Sequence, residues 1–200
     1  MRIAISTGGG DAPGLNAVIR AAVLTGVHRG WECFGVRRGF GSLLGESELM
    51  PLGPNEVRGI THLGGTILGT SNRGNPLKWR VQRPDGAWDE RDRSQELFDA
   101  FRANRLDALI AIGGDGTLGI ALELWKKGLP VVGVPKTIDN DVAGTAATFG
   151  FDTAVAIATD AIDKLHTTAE SHERVMVVEA MGRHAGFIAL YAAVAGSAEG

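Results

Sequence analysis

The sequence has a single cysteine and no long apolar run. Cys33 cannot form an internal disulfide, which agrees with a reducing compartment, and we expect it to be a buried apolar residue. The apolar stretches are strand-sized and far shorter than the ~20 residues that cross a bilayer, so no membrane partner is expected. Met1 leads directly into a strand-like segment and not into the pattern of a signal peptide. These absences favour a cytoplasmic protein.

The charge balance also excludes a class of function. Lysine and arginine number 20 against 23 acidic residues, which gives a formal net charge of −3. A generally basic nucleic-acid-binding protein is therefore excluded, although a local cationic patch can still hold a small anion. The 29 glycines are about twice the usual share for a chain of 200 residues, and they fall in clusters. Those clusters carry most of the functional information.

Strand-like and helix-like segments alternate along the chain. We predict strands over 2–7, 31–36, 108–112, 131–134 and 175–178. We predict helices over 15–23, 94–104, 118–127, 152–169 and 184–195. Ser94 is the predicted N-cap of the second helix, and Ile157 is predicted to lie on the inner side of the fourth. We expect a glycine-rich loop over 39–53 and an inserted lobe or hairpin over 64–93, with a tight turn at Pro84-Asp85-Gly86. The pattern predicts one α/β region over 1–200. Its sheet is doubly wound and mostly parallel, with helices on both faces.

Two glycine clusters follow predicted strands. Gly8-Gly9-Gly10-Asp11 offers bare backbone N–H groups and a helix N-terminus, which suit phosphate oxygens, although such turns also serve only tight packing. The 113–117 cluster, Gly-Gly-Asp-Gly-Thr, adds a carboxylate, and a carboxylate beside a phosphate normally needs Mg²⁺. The alternative is a solvated turn whose aspartate caps the helix. Because strands in a parallel sheet end at one edge, we expect these loops to converge.

Two later loops carry further polar groups. Thr137-Ile138-Asp139-Asn140-Asp141 places two carboxylates beside a hydroxyl, enough for a general base and a group that orients it, although an Asx turn looks similar. Met181-Gly182-Arg183-His184 either caps a helix or presents Arg183 to a phosphate. Together the four loops indicate phosphoryl transfer to a small phosphorylated acceptor.

The order of these motifs, from Gly8 to Ala17, through the 113–117 cluster and 135–141, to Met181-Gly182-Arg183, resembles 6-phosphofructokinases over 2–200. The combination is far more specific than the Gly-Gly-Asp-Gly-Thr string, which NAD kinases and diacylglycerol kinases also carry. The resemblance implies Mg²⁺-dependent transfer to the 1-hydroxyl of fructose 6-phosphate, a step of glycolysis. An NAD kinase and a binding fragment without an acceptor site are the alternatives.

The resemblance also implies roles for individual residues. Asp139 matches the catalytic base and Asp115 the magnesium ligand. Positions that match donor contacts are Gly10, Arg73, Gly116 and Thr117, although the 70–80 segment is longer than in bacterial ATP-dependent members. Positions that match acceptor contacts or orient the site are Thr137, Asp141, Arg174, Met181, Gly182 and Arg183. Because Arg174 matches an arginine that reaches a neighbouring subunit's site, the resemblance implies a homodimer or homotetramer.

Two positions bear on the donor. Gly116 matches ATP-dependent members, because a side chain there would crowd the nucleotide α-phosphate, whereas Lys136 matches pyrophosphate-dependent members. The mixed pair resembles an actinobacterial-type subgroup that includes ATP users, so we expect ATP as donor, with pyrophosphate as the alternative.

The family's chains continue well beyond residue 200. We therefore expect either an amino-terminal fragment or a shortened relative, with the fold incomplete at its C-terminal end. An unpaired sheet edge favours aggregation, so the 200 residues alone are expected to fold poorly or to turn over weakly.

Overall fold

The computed structural model describes residues 1–45, 47–71 and 74–199. Its strands are β1 (Arg2–Thr7), β2 (Glu32–Val36), β3 (Met50–Leu52), β4 (Trp79–Gln82), β5 (Trp88–Arg91), β6 (Ala108–Gly113), β7 (Val131–Thr137) and β8 (Phe149–Gly150). Its helices are α1 (Leu15–His28), α2 (Ser94–Ala103), α3 (Asp115–Lys126), α4 (Phe151–His172) and α5 (Phe187–Ala195). The chain divides into two compact units, Met1–Lys136 and Thr137–Gly200.

A mostly parallel sheet organises the first unit, in the strand order β3-β2-β1-β6-β7. β1 pairs in parallel with β2 and β6, β6 pairs in parallel with β7, and β3 alone among these strands runs antiparallel, beside β2. β1 and β6 form where short apolar runs are largely buried, as parallel strands covered on both faces require, whereas Val132 of β7 is 60% exposed. The predicted α/β class with a mostly parallel sheet is confirmed.

Helices cover both faces of this sheet. Ile3 and Ile5 join one core cluster with apolar side chains of α1, whereas Ala4 joins a second cluster with side chains of α2 and α3. The alternation follows from the period of two along a strand. Cys33 lies in the first cluster, where burial raises the pKa of its thiol. Its predicted role as a buried apolar residue is confirmed.

Strand register places the two glycine clusters and the end of β7 at one edge of the first unit's sheet. Thr7 of β1 lies opposite Ile112 of β6, and Gly113 of β6 lies opposite Pro135 of β7. Because the three strands run in the same direction, their carboxyl ends lie side by side. Within the first unit, the predicted convergence is confirmed for the two glycine clusters and the end of β7.

The predicted inserted segment contains a hairpin. β4 and β5 pair antiparallel. At the predicted turn the Arg83 N–H donates to the Ala87 carbonyl at 2.8 Å, and Gly86 adopts φ 84°. The Asp85 carboxylate accepts the Ala87 N–H at 3.0 Å, which is a local bond that favours turns.

The predicted N-cap of α2 is wrong by one residue, because Arg93 is the N-cap and makes no side-chain capping bond. The helix begins at Ser94, and the Ser94 N–H donates to the Asp92 carboxylate at 2.8 Å. The Lys127 ammonium donates to Asp92 and to the Ser94 hydroxyl, each at 2.8 Å. The hydrogen bond from Lys127 and those from Ser94 hold the pKa of Asp92 at about 2. Asp92 is therefore the residue that satisfies the start of α2.

Some expected elements differ in the structure. The predicted strand over 175–178 is absent from the described residues: Val175 and Val177 are each 92% exposed, and a strand needs a hydrogen-bonded neighbour. The predicted 39–53 loop contains a short 3₁₀ helix, Gly41–Leu44, as well as β3. The predicted inner residue Ile157 is 63% exposed.

α4 and α5 form the second unit's packed pair. Phe151 and Tyr191 meet edge to face with ring centroids 5.4 Å apart, and the His166 Nε2 atom lies 2.6 Å from the Gly196 carbonyl oxygen. α5 begins at Phe187, three residues later than predicted, because Gly186 ends the preceding turn in the left-handed region. No helix in the described part of the chain is both long and apolar enough to span a membrane.

The two faces of α3 give a stability prediction. Leu124 is fully buried, whereas Leu122, two residues earlier, is 49% exposed. We expect Leu124→Ala to lower the free energy of unfolding by about 2–5 kcal/mol, because a cavity remains in the core. The matched Leu122→Ala change should alter it by less than about 0.5 kcal/mol. Denaturant unfolding of both variants tests this, and equal losses would contradict the assigned orientation of α3.

Candidate active site

The loop after β1 is fixed through its backbone. The Gly8 N–H donates to the Ile112 carbonyl at 2.9 Å, and the Gly9 N–H donates to the Ser71 carbonyl at 3.2 Å. The Thr70 hydroxyl donates to the Gly9 carbonyl at 2.5 Å. Gly9 adopts φ 79°, a conformation that side chains other than those of Asn and Asp seldom tolerate. The loop is therefore held in one shape by its neighbours.

Thr117 packs between the two glycine clusters. Its side chain is buried, with 7% exposure. A methyl group built on Gly8 would lie 2.6 Å from the Thr117 Oγ1, and one built on Gly113 would lie 2.4 Å from the Thr117 Cβ. These distances are too short for any side chain. Gly8 and Gly113 are therefore glycines required by packing.

Gly10 and Gly116 differ from that pair. A methyl group built on either would have no atom of another residue within 4 Å, and neither has a positive φ. The fold therefore does not require glycine at these two positions. Both were predicted donor contacts, and the open space beside them is what a close approach of phosphate to the backbone needs.

Asp115 lies at the start of α3. Gly114 is the N-cap and makes no side-chain capping bond, so the alternative in which Asp115 caps the helix is wrong. Asp115 is exposed in the first turn, where the helix dipole favours anions. The described residues contain no cluster of three or more metal-ligating side chains. A single exposed carboxylate at a helix N-terminus fits Mg²⁺, which is commonly held by one or two carboxylates together with substrate phosphates.

Lys136 ends the strand segment of the first unit and is 3% exposed. Its ammonium donates to the Gly10 carbonyl. A buried cation is stable when its hydrogen bonds are satisfied in this way. Lys136 therefore links the end of β7 to the glycine loop that follows β1.

In the second unit, the loop after β7 orients a carboxylate. The Thr137 hydroxyl accepts the Asp139 N–H at 3.2 Å and donates to the Asp139 Oδ2 at 3.3 Å. Both residues are half-buried. Thr137 thus restricts the Asp139 carboxylate, as a general base requires.

An ion pair joins this loop to the 181–186 turn. The Arg183 guanidinium donates to the Asp141 Oδ2 at 3.2 Å, with side-chain exposures of 58% and 22%. Gly182 is buried with φ 151°, a conformation that favours glycine. Arg183 itself has φ 56°. The two predicted acceptor loops are therefore brought together by this pair.

The remaining predicted residues are less constrained. Met181 is 77% exposed, and Arg174 is exposed after the C-terminal end of α4, with no side-chain hydrogen bond or ion pair to a described residue. Arg73 lies outside the described residues. The roles of all these residues stay predictions.

Sequence reasoning missed two threonines that support the loops. Thr70 binds a carbonyl 61 residues away in the chain, and the buried Thr148 donates its hydroxyl to the Thr137 carbonyl at 2.7 Å. Neither belongs to a motif, because a bond from a side chain to a distant backbone atom leaves no local pattern.

Comparison with known proteins agrees with this arrangement. A family model described as phosphofructokinase matches residues 2–200. The chain belongs to the phosphofructokinase family. Over 198 residues it is 55% identical to an ATP-dependent 6-phosphofructokinase of Chloroflexus aggregans, and over 200 residues it is 56% identical to a pyrophosphate–fructose 6-phosphate 1-phosphotransferase of Amycolatopsis methanolica. Relatives with either donor in their names are thus about equally similar.

These matches cover 99% of this chain and 54% of each relative, so the chain spans about half the length of the curated relatives it matches. Among solved structures, a Pichia pastoris phosphofructokinase in the T-state matches with a TM-score of 0.85 and 32% identity, over 98% of this chain and 21% of that one. A Saccharomyces cerevisiae phosphofructokinase matches with a TM-score of 0.79 and 34% identity, over 96% of this chain and 28% of that one. The fold is therefore the phosphofructokinase fold.

The contact between Gly8 and Thr117 gives a prediction about the loop that follows β1. We expect Gly8→Ala to lower the free energy of unfolding by about 1–3 kcal/mol, because its methyl group would overlap the Thr117 side chain. In a Thr117→Ala background the closest remaining Thr117 atom, Cβ, would lie 3.4 Å away, so the loss should shrink. The matched control is Gly10→Ala in the same loop, with an expected change below about 0.5 kcal/mol.

Denaturant unfolding of these single and double variants measures the coupling. Equal effects of Gly8→Ala in both backgrounds would contradict the packing role of Thr117.

Proposed function

We propose that the protein is a 6-phosphofructokinase that transfers the γ-phosphoryl group of ATP to the 1-hydroxyl of fructose 6-phosphate, yielding fructose 1,6-bisphosphate. The observation that carries the proposal is the Asp139 carboxylate, which is held by the Thr137 hydroxyl in a loop shared with the Asp141–Arg183 pair. Family membership gives this arrangement its reaction class.

Asp139 is the proposed general base. As the sugar O1 attacks phosphorus, the Asp139 carboxylate accepts the hydroxyl proton, and the bond from phosphorus to the leaving oxygen of ADP breaks. The hydrogen bond from Thr137 fixes Oδ2 during this step. Arg183 supplies a guanidinium suited to the acceptor's phosphate, and Asp141 orients it.

The first unit is proposed to bind the donor. The bare backbone at Gly10 and Gly116 and the N-terminus of α3 suit phosphate oxygens. Asp115 would hold Mg²⁺, which neutralises charge on the donor phosphates when bound. Thr117 fixes the relative position of the two glycine clusters.

ATP is the proposed donor because of the space beside Gly116. No contact within the fold requires glycine there. We propose that glycine leaves room for ATP, which is larger than pyrophosphate. Lys136, which matches the pyrophosphate-dependent pattern, has its ammonium on the Gly10 carbonyl, where it supports the loop whichever donor binds. Pyrophosphate is the second candidate, favoured by Lys136 and by the Amycolatopsis relative.

A homo-oligomer is also proposed. Arg174 is exposed and makes no side-chain bond to any residue in the described ranges, which suits a contact with a second subunit.

Formation of fructose 1,6-bisphosphate tests the proposed reaction. For the protein that carries this sequence we expect turnover with fructose 6-phosphate, Mg²⁺ and ATP, and Asp139→Asn should lower kcat by about 10²- to 10⁴-fold, because the amide cannot accept the proton. ADP affinity should be unchanged, since Asp139 belongs to the acceptor side. Absence of product with both ATP and pyrophosphate, or full activity of Asp139→Asn, would contradict the proposal.

A carboxylate at Gly116 tests the donor. We expect Gly116→Asp to lower kcat/KM for ATP by about tenfold or more, because a negative charge beside the α-phosphate repels it. The melting temperature of this variant should equal that of the wild type, because the site has room for a side chain. Initial rates of fructose 1,6-bisphosphate formation with ATP and with pyrophosphate test this prediction. A larger loss with pyrophosphate than with ATP would overturn the preference for ATP.

A further inference from the structure

Thr148 joins both ends of the loop that carries Asp139. Its hydroxyl donates to the Thr137 carbonyl at 2.7 Å, and its N–H donates to the Asn140 Oδ1 at 2.9 Å. The same hydroxyl lies 3.3 Å from the Asn140 Oδ1. Thr148 is 4% exposed, so water cannot easily replace these bonds. The candidate base thus lies in a segment held at the residues on either side of it.

Asn140 has an unusual backbone. Its φ is 53°, in the left-handed region, where asparagine is enriched among residues other than glycine. This left-handed residue lies between the two carboxylate-bearing residues, Asp139 and Asp141, so its conformation affects how they are placed relative to each other. The bond from the Thr148 N–H to the Asn140 side chain stabilises this conformation.

We propose that Asn140 and Thr148 are positioning residues for the Asp139 base. They act through the backbone: Thr148 fixes the Thr137 carbonyl and the Asn140 side chain, and the loop between these points holds the Asp139 carboxylate against the Thr137 hydroxyl. This inference rests on the proposed function of Asp139.

The geometry argues for positioning in preference to general stabilisation. Both bonds from Thr148 end within the five-residue segment from Thr137 to Asp141, and the Asp139–Thr137 bonds are long, at 3.2 and 3.3 Å. A carboxylate held by such bonds depends on the backbone beneath it. Displacement of a catalytic group by about 1 Å can cost about 10²-fold in rate.

Three variants of the protein that carries this sequence separate positioning from folding. Thr148→Val keeps the shape and the N–H but removes the hydroxyl. Thr148→Ser keeps both donors. Asn140→Gly accommodates the left-handed backbone but removes the acceptor for the Thr148 N–H.

We expect Thr148→Val and Asn140→Gly each to lower kcat by about 10- to 100-fold while the KM for the donor stays within about twofold. Thr148→Ser should restore kcat to within about threefold of the wild type. The Thr148→Val/Asn140→Gly double variant should have a kcat about equal to that of the slower single variant, because both substitutions release the same loop.

The inference is tested by steady-state kinetics for both substrates and by the melting temperature of each variant. Wild-type kcat in folded Thr148→Val and Asn140→Gly would overturn the inference and leave the proposed function standing. If Thr148→Val does not fold, Asn140→Gly decides alone, since glycine adopts this φ without strain. An inactive wild type with both donors would instead overturn the proposed function, and this inference with it.

Discussion

The parallel pairing of β6 with β1 on one side and with β7 on the other is the constraint on which the first unit depends. It places Gly8, Gly114 and Lys136 at one edge of the sheet without any ligand to gather them. Close approach is then possible only where side chains are absent, which is why Gly8 and Gly113 must be glycine against Thr117. This edge is accordingly a backbone surface of fixed shape, and under the proposed function its N–H groups would bind donor phosphates at a small ordering cost.

Glycine has two different uses at this edge of the sheet, and the sequence motifs do not distinguish them. Gly8 and Gly113 are enclosed by Thr117, whereas Gly10 and Gly116 border open space. Substitution of Gly8 or Gly113 therefore lowers the stability of the fold. Substitution of Gly10 or Gly116 instead affects a molecule that binds in the open space beside them.

Much of the fold could be predicted, because buried strands and amphipathic helices leave periodic patterns in the sequence. β1, β2, β6 and β7 and the main helices appear close to their predicted positions. The failures have physical causes. Arg93 and not Ser94 is the N-cap of α2, and the Ser94 N–H is bound by Asp92, whose carboxylate is fixed by Lys127, a residue distant in sequence. Residues 175–178 have the composition of a strand but no hydrogen-bonded neighbour in the described ranges. Thr148 was missed because its bonds to the candidate site leave no periodic signal.

The second unit contains two kinds of restraint on its polar loops, and they differ in strength. The Arg183–Asp141 pair is solvent-exposed on the arginine side, and such pairs contribute about 0–1 kcal/mol. The bonds of Thr148 start from a buried residue and end on half-buried acceptors, and such hydrogen bonds contribute about 0.5–1.5 kcal/mol each. The segment that carries Asp139 is therefore held by the stronger restraints, while Arg183 is held only loosely. A guanidinium held so weakly can exchange its carboxylate partner for a phosphate dianion, which is the behaviour that an acceptor-binding arginine needs.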